Sequence, residues 1–103
     1  MSHLPELNED QRIFLGAADA DAARLSTLLA PARTTGLTGH QWLTAAALAA
    51  GIADQVAWLA EAADTTAGRE PWATSARLIR DTATRFELWA ELAETTDELV
   101  NPS

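Results

Sequence analysis

Residues 38–64 read T-G-H-Q-W-L-T-A-A-A-L-A-A-G-I-A-D-Q-V-A-W-L-A-E-A-A-D. This spacing predicts one long helix, apolar almost all the way round in its first half. A helix without a polar face cannot stand in water alone. The remaining segments, or another chain, must wrap it. That requirement constrains the fold of these 103 residues more than any other feature.

The start of this helix is written locally. Thr38 is the expected N-cap and Gln41 its capping-box partner, while Leu37 and Trp42 have the spacing of a hydrophobic staple. Ala46/Ala50, Ala47/Gly51 and Ala49/Ala53 are small residues four apart, which lets a neighbouring backbone come close. Polar groups occupy a narrow stripe: Thr44, Gly51, Asp54, Glu61 and Thr65. Trp58 lies beside that stripe and is expected to be partly exposed. The helix is expected to end near Ala67, with Gly68 as its C′ residue and Pro71 as the first residue of the next helix.

The third helix, over 71–99, has a seam at spacings of three and four: Trp72, Ala76, Ile79, Ala83, Phe86, Ala90 and Ala93. Leu78, Leu88, Leu92 and Leu99 read as widening that seam. Arg77, Arg80, Asp81, Thr84, Glu87, Glu91, Glu94 and Glu98 form the opposite face, with Arg77–Asp81–Arg85 spaced for an ion-pair ladder. The first helix is expected over 8–30, capped by Asn8 with Gln11 as its box partner, after a frayed lead-in containing Pro5. Its apolar residues are Ile13, Phe14, Ala17, Ala18, Leu25, Leu28 and Leu29. Asp21 interrupts that face, and Gly16 with D-A-D at 19–21 marks a possible break; continuity is the favoured reading.

Alanine fills about a fifth of the chain, tyrosine is absent, and the β-branched aliphatics are few: Ile13, Ile52, Ile79, Val56 and Val100. The fold class is therefore all-α, an antiparallel three-helix bundle in one domain (helices over 8–30, 38–67 and 71–99), expected to be completed by homodimerisation. Three helices cover the apolar middle one only if it is central; a dimer covers it more easily. The segments 15–25 and 48–58 look alike at an offset near an ankyrin period, but the third helix does not continue the pattern.

The sequence says much less about function. The net charge of −8 disfavours direct binding to nucleic acid or to anionic membranes. M-S-H-L-P-E-L-N-E-D lacks the basic and apolar regions of a secretory leader, and the longest nearly uncharged apolar run, 42–53, is short for a bilayer. A cytoplasmic protein is expected. All seven cations are arginine, which with the alanine content suggests a GC-rich, bacterial genome. Cysteine is absent, so thiol chemistry and thiolate metal sites are excluded. His3 and His40 have no ligand spacing, and no P-loop, Rossmann or nucleophile-elbow pattern occurs. No cofactor, metal or catalytic residue is expected, and the chain is read as a non-enzyme.

Two features point to a binding role instead. Four tryptophans are many for this length, and Trp58 beside the polar stripe fits an interface anchor. The third helix is also charge-asymmetric: residues 69–85 carry net +2, and residues 86–103 carry net −5 with no cation. Glutamates three and four apart repel by about 0.2–0.5 kcal/mol per pair, and the helix C-terminus disfavours anions. The chain thus reads as a small acidic interaction module, regulatory or inhibitory through a carboxylate-rich helix face. Its candidate partner-binding residues are Trp58, Arg77, Arg80, Glu87, Glu91, Glu94 and Glu98. The partner is a second copy packed antiparallel, or a basic protein surface. A bundle holding a small apolar or aromatic ligand between its helices, and a small enzyme, are the alternatives from other classes.

Overall fold

The computed structural model describes residues 7–100, without the side chains of Arg33 and of residues 96–100. The expected lead-in with His3 and Pro5 and the side chains of Glu98 and Leu99 lie outside the described residues. Among the described residues the chain is all-helical: α1 (Glu9–Leu29), a short 3-10 turn (Ala30–Arg33), α2 (Gly39–Glu61) and α3 (Thr66–Val100).

Both predicted capping boxes form. Asn8 Oδ1 accepts from the Gln11 N–H at 2.8 Å, and Gln11 Oε1 accepts from the Asn8 N–H at 3.0 Å. Thr38 and Gln41 make the same exchange at 3.1 and 2.9 Å. α1 runs unbroken through Gly16 and Asp21. Between α1 and α2 the Pro31 carbonyl accepts from the N–H groups of Thr34 and Gly36, and Gly36 takes φ +80, a conformation that suits glycine. Within the helices, Thr27, Thr44, Thr82, Thr84 and Thr95 each donate to the carbonyl four residues back, which hides their hydroxyls from competing turns.

α2 is the shared member of the bundle. α1 and α3 both run antiparallel to it and do not approach one another closely among the described residues. Ala45, Ala49, Ala53 and Leu59 of α2 are fully buried, and Ile52 and Val56 nearly so. Ala18 from α1 and Ala76 from α3 join Ile52 and Val56 in one cluster, with Leu25, Trp72 and Ile79 packed against it. By length and composition α2 would also pass for a membrane-crossing helix; here α1 and α3 occupy its two apolar flanks. They cover it in part: 44% of its apolar window is buried, and Leu43 and Trp58 stay about half exposed.

Two long-range clasps fix α1. Asn8 Nδ2 donates to the Ala62 carbonyl at 2.8 Å, and buried Gln11 Nε2 donates to the Leu59 carbonyl at 3.3 Å. The α1 capping box thus also caps the C-terminus of α2, whose last carbonyls have no partner within their own helix. Asp21, the odd residue on the packed face, accepts from Gln55 Nε2 at 3.0 Å and from Arg24 at 3.1 Å.

The boundary between α2 and α3 differs from the sequence reading. α2 stops at Glu61 rather than near Ala67, and Gly68 is not its C′ residue. Thr65 instead heads α3: its hydroxyl accepts from the Gly68 N–H at 3.0 Å, and its carbonyl from Arg69 at 3.0 Å. Pro71 consequently lies inside α3 rather than at its first position, where it removes one intrahelical hydrogen bond.

Candidate interaction surface

α3 meets α2 through alanine. Ala76, Ala83 and Ala90 are buried, and at the far end Gly39 lies so near that an added Cβ would stand 3.3 Å from the Ala90 carbonyl oxygen. Small residues bring the two backbones together, so the covered arc of α3 is narrow. Trp42 reinforces it from α2, its ring 5.6 Å from Phe86 and stacked 6.2 Å from Trp89.

That narrow arc leaves Leu78, Leu88 and Leu92 outside. They are 62, 55 and 55% exposed, and Trp89 is 53% exposed. At 3.6 residues per turn these leucines point roughly 150° away from the packed seam. They do not widen the seam; they form a second apolar stripe on the outer side of α3. Leu78 and Leu92 are fourteen residues apart, four turns along one face, with Arg85 midway between them. Trp89 stacks on Trp42 on one side and is open on the other, at the edge of the stripe. The signal was available in the heptad spacing of Leu78, Arg85 and Leu92, which is offset from the alanine seam.

The sequence-predicted residues fall into separate places. Arg77 and Arg80, joined by Arg69, line a shallow groove between α2 and α3 of about 370 Å³, floored by Ala57, Ala60, Ala73 and Ala76. Arg80 pairs with Asp54 across that groove. The Arg77–Asp81–Arg85 ladder does not form: among the described residues the ion pairs are Arg24–Asp21 and Arg80–Asp54. Glu87, Glu91 and Glu94 are exposed further along α3. Glu94 has a local role, its side chain lying over Gly39 at the N-terminus of α2, where the helix dipole favours an anion. Glu87 and Glu91 have no such neighbour. Trp58 is half exposed, as the polar stripe implied, but it is turned toward α1: its ring is tilted against Phe14 at 5.9 Å. It does not join the α3 residues.

Chemically, the outer side of α3 offers apolar area and fixed charge. No group of three or more His, Asp or Glu side chains is placed to hold a metal ion among the described residues. No family model matches the chain, and neither a curated protein nor a solved structure matches it.

Proposed function

We propose that this chain is a small acidic interaction module that binds protein through the outer side of α3. The observation that carries this reading is the exposed stripe of Leu78, Leu88 and Leu92 with Trp89 at its edge, on a helix whose packing against its own chain uses a different face. Leu88, Trp89 and Leu92 lie within about a turn of one another and form a local apolar patch, with Leu78 set apart beyond Asp81 and Arg85; exposed apolar patches mark contact sites, and a half-buried tryptophan is a favoured anchor. The carboxylate of Glu91 on the flank of the stripe sets the charge of what it accepts.

A photoreactive side chain at position 88 tests the reading in the host cell. Adducts to protein should form there well above those from a control position on the exposed side of α1, such as Ala20. Equal labelling at both positions would refute the assignment of α3 as the docking face.

A further inference from the structure

Resting on that reading, we infer that the occupant of the α3 face is a second copy of this chain, packed antiparallel about a two-fold axis near Thr84 and Arg85. Charge and apolar side chains along α3 follow a symmetric pattern. Arg77 lies seven residues before Thr84 and Glu91 seven residues after it; Leu78 and Leu92 lie seven residues either side of Arg85. Seven residues are close to two helical turns, so each pair returns to the same face. An antiparallel copy therefore brings Leu78 opposite the second copy's Leu92, and Arg77 opposite its Glu91, at both ends of one interface.

The two registers lie one residue apart and come from different chemistry. The apolar stripe centres on Arg85 and its charged flank on Thr84. Residues flanking an antiparallel helix seam on the same side face one another, and Arg77, Thr84 and Glu91 share one flank. Of the acidic run that helix energetics disfavours within one chain, Glu91 acquires a cationic partner in the antiparallel pair. An axis at Arg85 sets Arg85 against its own copy, with Asp81 one turn away as the carboxylate nearest that pair; among the described residues neither forms an ion pair within the chain. The same face is closed by two-fold symmetry, so the assembly stops at two.

Sedimentation equilibrium of the full chain at low salt, from micromolar to millimolar, tests the inference. The wild type should dimerise. R77E and E91R, both at exposed positions, should each weaken the dimer by about tenfold or more, since each places like charges at two contacts. The R77E/E91R chain should regain affinity, and so should an equimolar mixture of the two single variants. Circular dichroism confirms that each variant is folded. A folded monomer at every concentration would overturn the inference, as would a R77E/E91R chain no tighter than its single parents. A monomer whose position 88 still labels another protein would refute the second copy while leaving the interaction reading standing.

Discussion

Replacing Gln11 by glutamate isolates the clasp between α1 and α2. Gln11 is 5% exposed and uses both ends of its amide: Oε1 takes the Asn8 N–H and Nε2 gives a proton to the Leu59 carbonyl. A neutral glutamic acid keeps both bonds, its hydroxyl donating to Leu59. A carboxylate cannot donate, and it faces the carbonyl end of α2, where the dipole is negative. A buried donor lost from a satisfied carbonyl costs about 1–3 kcal/mol. That corresponds to a folded-state carboxyl raised by about one to two pH units, at 1.36 kcal/mol per unit. The unfolded chain holds the ordinary value, about 4.3. Because the folded value is the higher one, the unfolded state ionises first as pH rises. The deficit of Gln11→Glu relative to wild type is absent below about pH 4, grows through the window above it, and is complete at about 2 kcal/mol near pH 6. Urea titrations followed by tryptophan fluorescence, wild type and variant compared at each pH, measure it. A deficit independent of pH, or none at pH 7.5, would refute the clasp.

Other substitutions report on other joints. Asn8→Asp, ordinarily a neutral exchange at an N-cap, should cost about 1 kcal/mol in urea unfolding here, because the Nδ2 donor to Ala62 is lost while the cap itself survives. Ala49→Leu, at a fully buried position, should destabilise by about 1–3 kcal/mol in thermal unfolding; an unchanged melting temperature would reveal room that the packing denies. Asp21→Leu alone should lose about 1 kcal/mol by stranding Gln55 Nε2, whereas Asp21→Leu with Gln55→Leu should match or exceed wild type by calorimetry, since Gln55 Oε1 is buried without a partner already.

What could be read in advance was whatever the chain writes locally. Asn8–Gln11 and Thr38–Gln41 are four-residue signals, and both helix starts appear where those signals put them. The long apolar stretch also predicted α2's burial. The end of α2 was not legible, because it depends on Asn8 and Gln11, separated by 54 and 48 residues from the carbonyls they cap. Gly68 and Pro71 then offered a plausible but wrong boundary, overridden by Thr65 capping α3. The outer stripe of α3 was misplaced for a different reason. Counting apolar residues treats alanine and leucine as one class, whereas alanine at Ala76, Ala83 and Ala90 draws α2 close and confines the contact to a narrow arc. The leucines beyond that arc remain at the surface.

The central claim is that Leu78, Leu88 and Leu92 serve association rather than the fold of the single chain. The urea midpoint measured as a function of protein concentration tests it most directly, for wild type and for a chain with all three leucines changed to alanine, itself a strong helix former. The wild-type midpoint should climb with concentration, each tenfold step adding about 1.4 kcal/mol per dimer, while the alanine chain stays flat and coincides with wild type at the most dilute point. A flat wild-type line, or an alanine chain already weaker at that dilute point, would contradict the account.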